Sequence, residues 1–230
     1  MKTAGKLLAL LIAVALLSAF CGCSFFQTNR TSKGTDSPKA TEAKPNPASA
    51  ADLAGLAAIY GELYGKVTKA QTTVAYNDPA VGTTLNAYST LQKDGETLSY
   101  RATVDRLNDA EADRFLTSET LPPVSGTVEE IRANYTGLFF WDRIATGLIL
   151  STPVFSGENL SNPAIRPGKT DKTLTASVPD EKLDAFFGID ATDVTGMEIS
   201  VLYTDSAVLS LTLTYTAGAA AVTVTVTFTY

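Results

Sequence analysis

The side chains most often used in catalysis are scarce in this chain of 230 residues. There is no histidine, and the two cysteines, Cys21 and Cys23, both lie near the N-terminus. The lack of histidine excludes Ser-His-Asp and Cys-His catalytic arrangements. Zinc sites built from histidine and cysteine are excluded from the rest of the chain, because it contains neither residue. We therefore expect a protein that is not an enzyme and needs no metal or cofactor.

Carboxylates are the remaining candidates for chemistry, and they are densest in the segment "DRLNDAEAD", residues 105–113. An oxygen-ligated Ca²⁺ is one interpretation of this segment. A solvated charge run is favoured, because the spacing is not that of the known calcium loop and the glycine which that loop needs is absent. A pair of carboxylates that hydrolyses wall polymers stays as a further hypothesis, although no two acids stand out. The acids of the segment are Asp105, Asp109, Glu111 and Asp113.

The N-terminal 22 residues have the pattern of a secretory signal peptide. Lys2 and Lys6 give a positive start, and the run from Leu7 to Phe20 carries no charge. This run is shorter than the roughly 20 apolar residues that a membrane-spanning helix needs. We therefore predict that residues 1–22 direct export and are then removed.

The cysteines follow this signal in the segment "FCGC", residues 20–23, which resembles the bacterial lipobox. In that motif a small residue precedes a cysteine that is acylated and becomes the new N-terminus. The resemblance implies lipid attachment at Cys23, after the small Gly22, whereas Cys21 would follow the bulky Phe20. A disulfide or a free thiol is the alternative, but cysteines one residue apart rarely form a bridge. We expect a protein anchored by lipid to the cell membrane and facing away from the cytoplasm.

Residues 23–51 are predicted to be a disordered tether. They are rich in Ser, Thr, Pro and Lys and show no helical or strand periodicity. Residues 24–50 carry four basic and two acidic side chains, a net charge of +2. Residues 51–230 carry 12 basic and 22 acidic side chains, a net charge of −10. Nucleic acid is thereby excluded as a partner, because it requires a basic surface.

Residues 52–230 are predicted to form one α+β domain that opens with an amphipathic helix. In "ADLAGLAAIYGELYGKV", apolar residues recur at intervals of three and four. Asp52 is the predicted N-cap. Three glycines weaken this helix, so it must pack on an apolar surface. The recurring residues are Leu53, Leu56, Tyr60, Leu63, Tyr64 and Val67.

An antiparallel sheet is the predicted surface for this helix. Two alternating runs flank Lys93-Asp94-Gly95, which is typical of a hairpin. The C-terminus predicts a three-stranded meander, with apolar residues alternating with threonine in its last strand, Val222–Tyr230. Strict alternation indicates one apolar face and one hydroxyl-rich face.

A short helix is predicted for "PDEKLDAFFG", residues 179–188, with Pro179 near its start and Gly188 as its stop. The helix dipole explains the acids of its first turns. These acids are Asp180, Glu181 and Asp184.

Aromatic residues are concentrated in the middle of the chain and near this short helix. They are candidates to line a hollow for an acyl chain. The alternative is that they fill a solid core, as most buried Phe and Trp do. The candidates are Phe139, Trp141, Phe155, Phe186 and Phe187.

This order of elements behind a lipid anchor resembles the carriers of the bacterial lipoprotein-sorting (Lol) system and their relatives. The resemblance implies a curved antiparallel sheet, or half-barrel, with helices over a lipid-binding hollow. It carries no diagnostic motif, so it transfers no functional residue. Two hypotheses follow: a carrier of a lipid or other hydrophobic ligand, or an envelope scaffold with a filled core that docks another extracytoplasmic protein.

Overall fold

The computed structural model describes residues 43–79, 83–108, 115–120, 123–127, 130, 153–188, 191 and 194–230. All of them belong to one unit, Glu42–Tyr230. The signal peptide and Cys23 lie outside these ranges. So do Phe139 and Trp141, and so do the acids at 109, 111 and 113.

Helices account for a small part of the described chain. Helix α1 is Ala50–Gly61, α2 is Leu63–Lys66, and a 3₁₀ turn at Asp180–Lys182 leads into α3, Leu183–Phe187. None of the helices in the described ranges is long and apolar enough to cross a membrane.

Most of the described residues are in strands, which is the antiparallel sheet that the sequence predicts. The first six strands are β1 Asn46–Pro47, β2 Lys69–Asp78, β3 Thr83–Asp94, β4 Thr97–Asn108, β5 Phe115–Thr120 and β6 Val124–Gly126. The others are β7 Ser161–Pro167, β8 Lys172–Val178, β9 Val194–Tyr203, β10 Val208–Ala217 and β11 Ala220–Thr229.

One eleven-stranded sheet contains all the described strands, in the order β1-β7-β8-β9-β10-β11-β2-β3-β4-β5, with β6 also paired to β4. Each pair is antiparallel. The last strand, β11, lies between β10 and β2, so it joins the strands β7 to β10 to the strands β2 to β5. The register of this pair sets Val224 opposite Val74 and Thr225 opposite Thr73.

The two faces of the sheet differ in chemistry because side chains alternate along each strand. In β11, Val222, Val224, Val226 and Phe228 are buried. Of the threonines between them, Thr223 and Thr227 are exposed and Thr225 is half-buried. The same alternation continues through the neighbouring strands. We call the buried side the inner face and the hydroxyl-rich side the outer face.

The N-cap of helix α1 lies three residues before the predicted one. Ser49 is the N-cap: its hydroxyl accepts from the Asp52 N–H at 3.2 Å, and the Asp52 carboxylate accepts from the Ser49 N–H at 2.9 Å. This reciprocal pair is a capping box, so Asp52 is the third residue of the helix and its prediction as N-cap is wrong. The helix also ends before Val67, because the helical conformation is interrupted at Glu62, between α1 and the short α2.

The end of the predicted tether lies in the sheet. Asn46 pairs with Ile165 and Pro47 with Ala164, and the Ala48 N–H donates to the Pro163 carbonyl at 2.8 Å. Backbone hydrogen bonds hold this strand although the Asn46 and Pro47 side chains are exposed, which is why its composition did not reveal it.

Glycines form two of the tight turns that the sequence predicts. Gly95 follows β3 with φ of +61°, and Gly218 follows β10 with φ of +61°. Side chains other than glycine avoid this left-handed conformation. These two turns fix the registers of the β3–β4 and β10–β11 hairpins.

Candidate functional site

A cluster of four buried aromatic rings lies in the core. The ring centres of Tyr60 and Phe155 are 5.4 Å apart, and those of Phe155 and Phe186 are 5.5 Å apart, edge to face. Phe186 and Phe187 are 4.9 Å apart, also edge to face. These distances are those of directly packed aromatic pairs. We call Tyr60, Phe155, Phe186 and Phe187 the aromatic cluster.

Helix α1 supplies Tyr60 to the cluster. Its buried residues Leu53, Leu56 and Tyr60 lie three and four positions apart and share one face. The capping box at Ser49 fixes where the first turn begins.

Helix α3 supplies Phe186 and Phe187, which are buried together with Leu183. Gly188 ends the helix with φ of +69°, and its N–H donates to the Asp184 carbonyl at 2.8 Å. A left-handed glycine is the usual stop for a helix because it has no Cβ to clash. The helix that the sequence predicts over this segment is thus present with its predicted stop.

Two acids of this segment fasten α3 to the chain that follows it. The Asp184 carboxylate accepts from the Ala191 N–H at 2.9 Å, and the Asp180 carboxylate accepts from the Gly196 N–H at 2.8 Å. The helix dipole is therefore not their only role. Within the described ranges, no group of three or more His, Cys, Asp or Glu side chains could hold a metal ion.

The loop Pro153–Leu160 supplies Phe155. The Asn159 side-chain amide donates to the Val154 carbonyl at 3.2 Å, and the Val154 N–H donates to the Phe186 carbonyl at 3.2 Å. The second bond satisfies a carbonyl at the end of α3 that the helix leaves unpaired. The loop and α3 are thus held together beside the rings.

The Tyr60 hydroxyl is the chemical anomaly of the cluster. Tyr60 is 2% exposed, and within the described chain its hydroxyl has no hydrogen-bond partner. Burial, and secondarily the nearby Tyr230, raise the pKa of Tyr60 far above its ordinary value, so the hydroxyl stays protonated. Buried polar groups are nearly always paired, so this hydroxyl requires an explanation.

Small side chains cover part of the inner face. On β2, β3 and β4 the register places Val74 opposite Ala87 and Ala87 opposite Val104. Small side chains fill less of the space beside a packed face than larger ones would. We call this group the small-residue patch; its members, all buried, are Thr72, Val74, Ala87, Ala102 and Val104.

A shallow hollow lies beside α2, where Val67, Leu91 and Leu98 meet. Its volume is about 210 Å³ including open solvent, below the roughly 300–1,000 Å³ typical of a ligand site. Lys93 closes one side: its Nζ donates to the Tyr64 carbonyl at 2.6 Å and lies 4.3 Å from the centre of the Tyr64 ring. This hollow is too small to be the main site.

The structure brings together three of the five predicted lining residues, Phe155, Phe186 and Phe187. Phe139 and Trp141 fall outside the described residues. Sequence reasoning did not place Tyr60 at the site, although its helical spacing predicted that it would be buried. Asp105 lies on β4, whose outer face it shares with Arg101 and Thr103.

No protein-family model and no curated protein matches the chain. Among solved structures the chain is similar to the lipoprotein LppX of Mycobacterium tuberculosis, at 10% identity and a TM-score of 0.38, over 77% of this chain and 92% of LppX. It also aligns with the N-terminal dehydratase from the difficidin assembly line, at 11% identity and a TM-score of 0.14, over 83% of this chain and 88% of that one. Scores of this size carry no argument about function.

Proposed function

We propose that this protein is a lipid-anchored extracytoplasmic lipoprotein that binds a lipid or other hydrophobic ligand. The acyl chains are attached at Cys23. The ligand lies against the inner face of the sheet, which curves into a half-barrel, between the small-residue patch and the aromatic cluster. The protein is not an enzyme in this proposal and uses no cofactor.

The unpaired Tyr60 hydroxyl is the observation that carries the ligand proposal. A buried hydroxyl without a partner costs about 1–3 kcal/mol, so its retention needs a compensating bond in some state of the protein. A polar group of a bound ligand, such as a carboxyl or ester, would supply that bond. The surrounding rings would contact the apolar part of the same ligand.

The small-residue patch supports the same proposal. Its residues are buried by the protein chain itself, so a ligand has to displace part of that cover to reach them. An acyl chain can pack against a surface of Ala, Val and Thr, because apolar burial follows contact area and needs no specific hydrogen bonds. The patch and the cluster belong to one continuous core.

The scaffold hypothesis has its own supporting observation. The ring centres of neighbouring residues in the aromatic cluster are 4.9 to 5.5 Å apart, which is typical of a filled core. In that case the inner face holds no ligand, and the protein docks another envelope protein through a different surface.

Ligand binding separates the two hypotheses. Protein purified from membranes in mild detergent is extracted with organic solvent, and the released lipids are identified by mass spectrometry. The delipidated protein is then titrated with a fatty acid that carries a fluorescent NBD group. We expect a co-purified lipid and saturable uptake of the probe. A protein with neither would leave only the scaffold hypothesis.

A matched pair of substitutions locates the site. Ala102→Leu adds volume to the small-residue patch, whereas Ala75→Leu adds the same volume to the exposed outer face. Ligand binding predicts that only Ala102→Leu weakens probe uptake while the fold stays stable. A filled core predicts instead that Ala102→Leu costs about 1–3 kcal/mol of stability through overpacking.

Lipid attachment has a separate test. One acyl chain anchors only marginally, so the two or three chains of a bacterial lipoprotein should hold the protein durably at the membrane. Cys23→Ala should release the protein from membranes, and Cys21→Ala should not. An unmodified N-terminus in the mass spectrum of the native protein would refute the anchor without affecting the ligand proposal.

A further inference from the structure

The outer face of the sheet carries a continuous row of hydroxyl side chains that crosses six strands. The registers set Ser200 opposite Thr212, Thr212 opposite Thr225, and Thr225 opposite Thr73. Thr73 in turn faces Tyr88, which faces Thr103. Strands are about 4.8 Å apart, so the row is about 24 Å long. We call it the hydroxyl row: Ser200, Thr212, Thr225, Thr73, Tyr88 and Thr103.

Two pairs of hydroxyls, one within the row and one at its end, are close enough to interact. Those of Thr212 and Thr225 are 3.3 Å apart. At the other end, the Thr103 hydroxyl is 3.4 Å from that of Thr120, which extends the row to β5. Each hydroxyl both donates and accepts, so the row presents mixed hydrogen-bonding groups to anything that lies on it.

Tyr88 is the exception to the small hydroxyl side chains of the row. It is 51% exposed, the most exposed of the large apolar side chains in the described chain. An exposed ring in a field of threonine offers an apolar platform that water solvates poorly. Tyrosine with small hydroxyl and amide neighbours is the composition of adaptable binding surfaces, because the ring loses little conformational entropy.

Planar polar groups surround Tyr88. Asn86 lies two residues before it on β3, and Arg101 and Asp105 lie two residues either side of its partner Thr103 on β4. Amide, guanidinium and carboxylate groups can each make two parallel hydrogen bonds to adjacent hydroxyls. The opposite charges of Arg101 and Asp105 cancel, so the surface around the ring is electrically neutral.

We propose that the outer face binds an extended, uncharged polysaccharide chain along the hydroxyl row, with a sugar ring stacked on Tyr88. Charge complementarity decides between polymers. The row has no ionised side chain, and residues 51–230 have a net charge of −10, so an anionic polymer is repelled and a neutral one is not. The apolar side of a sugar ring fits the tyrosine, and its hydroxyls fit the Thr, Asn and Arg groups.

The chain outside the described residues fits this occupant. In the proposed lipoprotein, residues 23–42 connect the anchor to the body, and 20 extended residues reach at most about 70 Å. Such a connection lets the outer face contact a polymer some distance from the membrane surface. The binding itself does not depend on the anchor or on a hydrophobic ligand.

Binding is tested with full-length protein in detergent solution. The protein is sedimented with insoluble cellulose and with chitin, and it is titrated with cellohexaose and chitohexaose by calorimetry. We expect saturable binding to at least one of these neutral glycans. An increase in NaCl from about 50 to about 500 mM should change the affinity less than about twofold, because neutral recognition is not screened.

Matched variants locate the surface. Tyr88→Ala should weaken binding about tenfold because it removes the stacking platform, and Tyr88→Phe should stay within about twofold of the parent because it keeps the ring. Val154→Ala changes an equally exposed side chain, 50%, in a loop and should have no effect. Circular dichroism checks that each variant is folded.

Several results would overturn the proposal. They are a lack of binding to all four neutral glycans, unchanged affinity in Tyr88→Ala, or loss of affinity at high salt. A cross-link from position 88 to another protein, without glycan binding, would assign the outer face to protein docking instead.

Discussion

Replacement of Tyr60 by Phe tests the unpaired hydroxyl directly. The change removes one buried oxygen and keeps the ring, whose centre lies 5.4 Å from that of Phe155. An unsatisfied buried hydroxyl costs about 1–3 kcal/mol, so its removal should stabilise delipidated protein by about 1 kcal/mol. For a body of this length, that is a rise of about 2–4 °C in Tm.

The effect on ligand binding should have the opposite sign. A hydrogen bond from the Tyr60 hydroxyl to a ligand has a net value of about 0.5–1.5 kcal/mol, so its loss should weaken the affinity for the NBD-labelled fatty acid by about two- to tenfold. Saturating ligand should therefore raise the Tm of the parent protein more than that of Tyr60→Phe. The measurement is a thermal melt of delipidated protein with and without the probe.

Tyr230→Phe is the matched control. The Tyr230 hydroxyl donates to the Val208 carbonyl at 2.5 Å, so its removal should destabilise the delipidated protein by about 0.5 kcal/mol. If Tyr60→Phe also destabilises the delipidated protein, its hydroxyl is paired in the free state and the reasoning is wrong. Unchanged affinity for the probe would equally remove Tyr60 from the site.

Substitutions at four further positions test how the fold positions the site. Ser49→Ala should cost about 1 kcal/mol in urea unfolding at pH 7. Hydrogen bonds from Ser49 lower the pKa of Asp52 below its ordinary 3.8, so the part of the cap that involves the carboxylate is complete above that pH and is lost as the pH falls through the lowered value. The bond from the Asp52 N–H to the Ser49 hydroxyl stays at low pH, so the cost of Ser49→Ala should be smaller at pH 2 than at pH 7. An equal loss at pH 2 and pH 7 would contradict this. Gly55→Ala, with open space around the new Cβ, should stabilise α1 by about 0.5–1 kcal/mol. Gly95→Ala should cost about 1 kcal/mol because the residue has φ of +61°. Stability changes of the same sign would contradict the assignment of Gly55 to a helix and Gly95 to a left-handed turn. Phe186→Ala should cost about 3–5 kcal/mol by leaving a cavity, and Phe186→Leu clearly less, as followed by circular dichroism.

Local patterns predicted the parts of the fold that depend on neighbouring residues. The alternation of Val and Thr predicted the apolar and hydroxyl-rich faces of β11, and Gly95 predicted the turn between β3 and β4. Each of these features is determined by adjacent residues. The position of β11 beside β2 could not be predicted in this way. Strand order depends on contacts between residues far apart in the sequence.

Two errors at the start of the domain have different causes. Asp52 is an acceptable N-cap by residue type, but Ser49 three residues earlier forms the capping box, and the pattern Ser-x-x-Asp was present in the sequence. Asn46 and Pro47 join the sheet by backbone hydrogen bonds. Composition describes side chains, so it cannot predict a strand that is held only by backbone hydrogen bonds.

The candidate site was predicted only in part for a similar reason. The three- and four-residue spacing in α1 predicted that Tyr60 is buried. Phe186, in the predicted short helix, was a candidate lining residue. Their meeting through Phe155 is a tertiary contact between distant segments. The missing partner of the Tyr60 hydroxyl is a property of that assembled environment, and no sequence pattern encodes it.

The two proposed surfaces are independent because they use alternate residues of the same strands. Ala87 belongs to the small-residue patch on the inner face, and its chain neighbour Tyr88 stands in the hydroxyl row on the outer face. A change at Tyr88 alters the outer face without touching the apolar core, and Ala102→Leu does the reverse. A variant of one face that abolished both activities would therefore report a loss of the sheet itself, whereas selective losses would establish two separate sites on one sheet.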